Sequence, residues 1–147
     1  EMSRVEKIFQ VNVFSVLGWI QDVWNAWMRE NGGSILNTAS TSAYRNPHKI
    51  GAYNISKAAV THLTRQMASE LAPKIRVNAI APAVVKTHFS STLWEKKEQE
   101  LADTYPMKRL GNPKDVVGAS CLLLSEEAAW ITGETVVIDG GMLVVGS

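Results

Sequence analysis

Apolar and polar positions along this chain recur with two different periods. Over residues 1–31 the apolar side chains fall at Val5, Ile8, Phe9, Val13, Val16, Leu17, Ile20, Val23, Trp24, Trp27 and Met28. That is the three-and-four spacing of a helix face. Phe14 and Trp19 lie off the stripe, so the helix is apolar over most of its girth and is expected to be buried on two sides. Asn31-Gly32-Gly33 supplies the turn chemistry that ends it. Residues 34–39 (S-I-L-N-T-A) then read as a short strand. Asn46-Pro47 and Gly51 mark a loop over 44–51. A second helix follows over about 52–71, with Val60, Leu63, Met67 and Leu71 on one face and Pro73 as its stop. Residues 76–81 (R-V-N-A-I-A) form a second strand, closed by Pro82.

Strand, helix, strand at this spacing predicts a right-handed βαβ unit with a parallel pair. Beyond it, Thr92-Leu93-Trp94-Glu95 resembles a capping box and predicts a charged, solvated helix ending at Tyr105-Pro106. Asn112-Pro113 predicts another helix start, with asparagine at the cap and proline at the first position. Residues 135–138 (T-V-V-I) predict a last, buried strand, which Asp139-Gly140-Gly141 turns out of. The fold class is therefore α/β. Three strands in a parallel sheet leave a sheet edge and a long helix uncovered, so the chain reads as part of a domain.

Composition changes this picture little. The chain has 147 residues, 46% apolar and 20% charged, with a net charge of +1. That is the make-up of one soluble globular unit. Basic residues are scattered among acidic ones, so neither nucleic acid nor an anionic membrane is an expected partner. No run of 18 apolar residues predicts a spanning helix. The start E-M-S-R-V-E-K does not read as a signal peptide, and the end V-V-G-S carries no address signal. The one cysteine, Cys121, sits in an apolar run and reads as a small buried hydrophobe. A single cysteine fits a reducing compartment, so a cytoplasmic location is expected. Three histidines, His48, His62 and His88, are too far apart for a metal site, and no metal is expected.

Candidate chemistry concentrates between Ala39 and Lys57. Tyr53 and Lys57 are four apart on the second helix, hence on one face. A fixed cation beside a phenol favours the phenolate, and a phenol so tuned can exchange a proton with an alcohol or carbonyl oxygen. Ser40, at the carboxyl end of the first strand, could donate a hydrogen bond to the same oxygen. As a bare pattern Y-x-x-x-K is common, and an amphipathic surface pair is its ordinary meaning. The topology adds weight, because ligands of parallel α/β sheets bind at strand carboxyl ends. Ser40 and Pro82 both stand there, so Ser40, Tyr53, Lys57 and the loop Pro82–Thr87 should surround one crevice. Asn12 lies on the apolar stripe of the first helix. By position alone it reads as a hydrogen-bonded structural amide that bends the helix. His48 and His88 either edge the crevice or are solvated loop residues.

The order of these motifs resembles the short-chain dehydrogenase/reductase family. The features are N-V in a long helix, a strand ending in serine, Y-x-x-x-K, V-N-A-I-A-P-x-x-V-x-T and I-T-G-E-T-V-V-I-D-G-G. Ser40 lies 28 residues after Asn12, and Tyr53 lies 13 after Ser40. The resemblance implies a Rossmann-type, doubly wound parallel sheet, of which residues 1–147 are the C-terminal part. It implies NAD or NADP as cofactor and hydride exchange between a ketone or aldehyde and the corresponding alcohol. Tyr53 then matches the general acid/base, and Lys57 the lysine that tunes it and holds the nicotinamide ribose. Ser40 matches the residue that polarises the substrate oxygen, and Asn12 the amide that holds a water in a proton relay to the lysine. Pro82, Val85 and Thr87 match the loop that meets the nicotinamide carboxamide, and residues 88–105 the variable region over the substrate.

The chain departs from the family pattern in two places. Ala83 stands where the family has glycine, and alanine does not enter positive φ cheaply, so a shifted loop is expected. No T-G-x-x-x-G-x-G segment is present, and without it a pyrophosphate cradle is incomplete. L-W-E-K and R-L-G-N-P-x-D are similar to the carbonyl-reductase subgroup, with the 3-oxoacyl-carrier-protein reductases close behind. A half-domain that only associates with partners is the non-enzymatic alternative. The resemblance also implies a homotetramer or homodimer through helices 1–31 and 52–72, and a small carbonyl or alcohol substrate.

Overall fold

The computed structural model describes residues 1–145. Gly146 and Ser147, the last two residues of the V-V-G-S end, lie outside the described residues. Helix α1 covers residues 2–31 and is not regular throughout. Two π-helical turns, Gln10–Phe14 and Trp24–Met28, interrupt it. Gly32 ends it at φ +72°, where a side chain would also meet the Lys74 carbonyl oxygen at 2.6 Å. Both facts leave that position to glycine.

Strand β1 is Gly33–Thr38, α2 is Gly51–Leu71 and β2 is Ile75–Pro82. Short helices α3 (Ser91–Trp94) and α4 (Glu98–Asp103) follow, then α5 (Pro113–Leu124) and strand β3 (Thr135–Ile138). The sheet order is β1-β2-β3, all parallel. Gly33 pairs with Ile75 and Thr38 with Ile80, while Ala79 pairs with Thr135. The predicted βαβ unit is present, with strand boundaries within a residue or so.

Alternation along β2 sends its side chains to two faces. Ile75 and Val77 pack with Ile20, Met67 and Ala68 against α1 and α2, and Ala79 and Ala81 pack with Val60 of α2. On the other face Arg76 donates to the carbonyls of Leu123 and Ser125, and buried Asn78 donates to the Ile131 carbonyl. Asn78 also accepts from the Glu134 N–H. Helices thus cover both faces of the sheet, as a doubly wound fold requires.

Three expectations are corrected. The predicted charged helix from Thr92 is two short helices, broken at Glu95–Lys97, where Lys97 leaves helical backbone (φ −142°, ψ 23°). Cys121 is exposed: of the C-L-L-L run, only Leu123 turns inward from α5. Strand β3 is half-buried, with Val137 exposed, because it is a sheet edge. Within this chain α1 is covered on one side only, and Phe14, Trp19 and Trp27 are more than half exposed on the other.

Candidate active site

Three segments build the site, and each is positioned by the sheet. β1 delivers Ser40 just past its carboxyl end, in extended backbone (φ −167°). The Ser40 hydroxyl accepts the Ser42 N–H at 3.1 Å and so caps the short 3₁₀ turn Thr41–Ala43. The first turns of α2 carry Tyr53 and Lys57. The loop after β2 carries Pro82 to Thr87, held to the end of β3 by the Ala83 N–H donating to the Ile138 carbonyl at 3.0 Å. Ser40, Tyr53, Lys57, Pro82, Val85 and Thr87 all line one crevice of about 670 Å³. That is the size of a small-ligand site. His48 and His88 are exposed and do not line it.

Lys57 is the pivot of the arrangement. Its ammonium lies 5.8 Å from the centroid of the Tyr53 ring and donates to the Thr38 carbonyl at 2.9 Å. Burial pushes its pKa below the ordinary lysine value. An ammonium has three N–H donors; the bond to Thr38 engages one and leaves two for a ligand. The nicotinamide-ribose end of a dinucleotide therefore fits the residues present: vicinal hydroxyls suit two ammonium donors, and the Pro82–Thr87 loop walls the same space.

Asn12 does not enter this crevice. It is half-buried in the first π-helical turn of α1 and lines a second hollow of about 480 Å³, which shares Thr38 and Lys57 with the first. Lys57 thus stands in the wall between the two. The Asn12 amide donates to the Ser56 hydroxyl at 3.0 Å, and Ser56, fully buried, donates to the Tyr53 carbonyl at 2.7 Å. The bland structural meaning of Asn12 is thus observed in part, since its amide has a fixed hydrogen-bond partner in a turn that departs from α-helix.

The residues match a known family along nearly the whole chain. The family described as Enoyl-(Acyl carrier protein) reductase covers residues 1–143. The chain is also 44% identical, over 138 residues, to a Rattus norvegicus protein named Dehydrogenase/reductase SDR family member 4. The chain belongs to the short-chain dehydrogenase/reductase family. That alignment takes in 92% of this chain and 50% of the rat protein, so the chain spans about half the length of the curated relatives it matches. Among solved structures, Thermoplasma acidophilum aldohexose dehydrogenase in its ligand-free form superposes with a TM-score of 0.92 at 32% identity. The match covers 99% of this chain and 62% of that one. A gluconate 5-dehydrogenase from Burkholderia cenocepacia, in complex with NADP and tartrate, gives 0.92 at 26% identity, over 99% of this chain and 58% of its own.

Set against the family pattern, Ala83 needs no left-handed backbone. Among the described residues, the non-glycine residues with positive φ are Lys49 and Lys108. The alanine sits half-buried in the crevice wall with its N–H bonded to β3.

Sequence reasoning overlooked three other residues here. Buried Ser90 accepts the Thr87 N–H and the Trp94 indole N–H and donates to the Val85 carbonyl, which ties the loop to α3. Buried Tyr105 accepts the Val84 N–H at 3.4 Å, and burial raises its pKa. Arg45 lines the crevice beside Ser42. None has a periodic or spaced signature; each is found only through what it touches. Among the described residues, no helix is long and apolar enough to cross a membrane.

Proposed function

We propose that the protein to which this chain belongs is an NAD(P)-dependent oxidoreductase that interconverts a ketone or aldehyde and an alcohol. Residues 1–147 are the C-terminal part of its nucleotide-binding domain. The observation that carries the reading is the convergence of Ser40, Tyr53 and Lys57 on one crevice at the carboxyl ends of β1 and β2, in a chain of this family. When bound, the nicotinamide cofactor supplies or accepts the hydride at the substrate carbon. The Tyr53 hydroxyl gives or takes the proton at the substrate oxygen. Ser40 donates a hydrogen bond to that oxygen and orients it. Lys57 places positive charge at the tyrosine ring and offers its two remaining N–H groups to the ribose hydroxyls. Asn12, anchored on Ser56, lines the hollow behind Lys57, where a water can take a proton from the Lys57 ammonium and return one to the amine. Pro82, Val85 and Thr87, in the wall of the crevice, would meet the carboxamide.

Support for the partial-domain reading comes from the half-length match and from the β1 edge, which has no strand partner among the described residues. The exposed Phe14, Trp19 and Trp27 of α1 and Ile55 of α2 support self-association through residues 1–31 and 52–72. A single cysteine fits a reducing, cytoplasmic setting.

Tyr53→Phe in the full-length protein tests the assignment. It deletes one oxygen and leaves the ring, the Lys57 contact and the Ser56 bond in place. Turnover should fall by at least about 100-fold, the scale of one general acid/base, while NADH or NADPH still binds with the wild-type Kd. Wild-type turnover in that variant would sink the reading.

A further inference from the structure

We propose that the substrate of this crevice carries a carboxylate, and that Arg45 is the residue that recognises it. The inference rests on the oxidoreductase reading of the same crevice. Of the residues lining the cavity, only Arg45 and Lys57 are charged, and no aspartate or glutamate is among them. Lys57 has its partners in the Thr38 carbonyl and the Tyr53 ring. Arg45 has no comparable partner. Its guanidinium extends from the loop between β1 and α2 to the Met142 sulfur, in the turn after β3. A thioether is a weak acceptor and does not replace the hydration of a half-buried cation.

Among the described residues no carboxylate forms an ion pair with it. Among the described residues the ion pairs are Arg29–Glu30, Lys86–Glu98 and Arg109–Asp115, and Arg45 is in none of them. Asp139 is the acidic group on the Tyr105 side of the site, and Arg45 and Asp139 act on the Tyr105 hydroxyl with opposite sign. Asp139 forms no ion pair with Arg45; its two oxygens accept the N–H groups of Gly141 and Leu143, each at 2.8 Å. The crevice therefore holds a guanidinium fork that no anion of the described residues pairs with, in the same cavity as Ser40 and Tyr53.

A planar fork of N–H donors matches a carboxylate in geometry and charge. The rest of the lining includes Ile50, Val84, Leu93 and Leu101, which suit an apolar body. The substrate class is then an oxo-acid or hydroxy-acid: a carbonyl or alcohol at the Ser40–Tyr53 end, a hydrocarbon spacer, and a carboxylate on Arg45.

The test compares two probes of matched shape, 4-formylbenzoate and its methyl ester, which share the aldehyde and differ in charge. Affinities for the full-length protein with oxidised cofactor bound are measured by calorimetry, where no aldehyde reduction occurs. Wild type should prefer the acid. In Arg45→Gln the acid-to-ester affinity ratio should fall by about 10- to 100-fold, the scale of one charged hydrogen-bonded pair. Arg45→Lys, which keeps the charge and loses the fork, should fall between. Because the ratio is internal to each protein, a partly misfolded variant does not imitate the effect. Equal wild-type affinities for acid and ester, or an unchanged ratio in Arg45→Gln, would overturn the proposal. An intact ratio change without reduction of either aldehyde by NADH or NADPH would refute the oxidoreductase reading and leave the carboxylate site standing.

Discussion

Replacing Ser90 by alanine removes one oxygen that organises a whole wall of the crevice. The hydroxyl donates to the Val85 carbonyl and accepts the N–H of Thr87 and the indole N–H of Trp94. Each such bond is worth about 0.5–1.5 kcal/mol net, and more where a partner is left buried and unsatisfied. Thr87 is exposed and Trp94 only half-buried, so water replaces much of what those two donors lose. The Val85 carbonyl, half-buried in the wall, bears most of the cost. The expected loss is about 1–2 kcal/mol, seen as a lower urea midpoint with an unchanged slope. If the freed loop must be reordered when cofactor binds, the same 1–2 kcal/mol weakens binding by about 5- to 30-fold. Unfolding and NADH or NADPH titration by tryptophan fluorescence would read both effects on the full-length protein. Ser91→Ala next door is the control and should stay within about 0.5 kcal/mol of wild type. If Ser90→Ala matches that control in midpoint and in Kd, the hydroxyl is not what holds the wall.

Other expectations concern charge. Lys57→Met should abolish turnover and leave the fold as stable as wild type or more so at pH 7, a trade of function against stability. The reason is that folding lowers the Lys57 pKa by burial. Its charged form therefore opposes folding at pH values below the folded pKa, and the penalty fades as pH rises through that value. The stability gap should accordingly narrow as pH rises toward the ordinary lysine value of 10.5 in thermal melts, and a variant less stable than wild type at pH 7 would contradict this. For Asp115 the sign is opposite. The hydrogen bonds from Arg109, then that from the Asn112 N–H, bring its pKa from the usual 3.8 to about 2. Its contribution is present above 3.8 and lost as pH falls toward 2. Wild type should show an acid-side stability slope in that window that Asp115→Asn lacks, though a small one, since the pair is solvent-exposed. Parallel curves would show that the pair contributes nothing.

Local rules were strong where they coincided with tertiary demand. Gly32 and Pro82 punctuate the strands because one position requires left-handed backbone and the other is the last paired residue of β2. Tyr53 and Lys57 were legible because a helix puts residues four apart on one face. From Thr92 to Tyr105 the charged pattern predicts one helix, yet the backbone leaves helical conformation at Lys97 and divides it into two. Burial was the least legible quantity. Cys121 and Val137 carry apolar sequence signals but lie where this chain provides no cover. Arg45 left no trace in the pattern, because a lone arginine in a loop has meaning only through the acids that do not face it.

The π-helical turn at Gln10–Phe14 has a consequence for genetic change. Such a turn closes its hydrogen bonds over one residue more than an α-helical turn. Removing one codon there would let α1 close into ordinary helix. Everything before the deletion would then keep its facing relative to everything after it, whereas the same deletion in a regular turn would swing the two parts by about 100°, one residue's share of a turn. Val16 and Ile20 could keep their places on the sheet without Val5 and Ile8 giving up theirs. A single-codon gap at this point should therefore be easier to tolerate than a gap of the same size in a regular turn of the same helix.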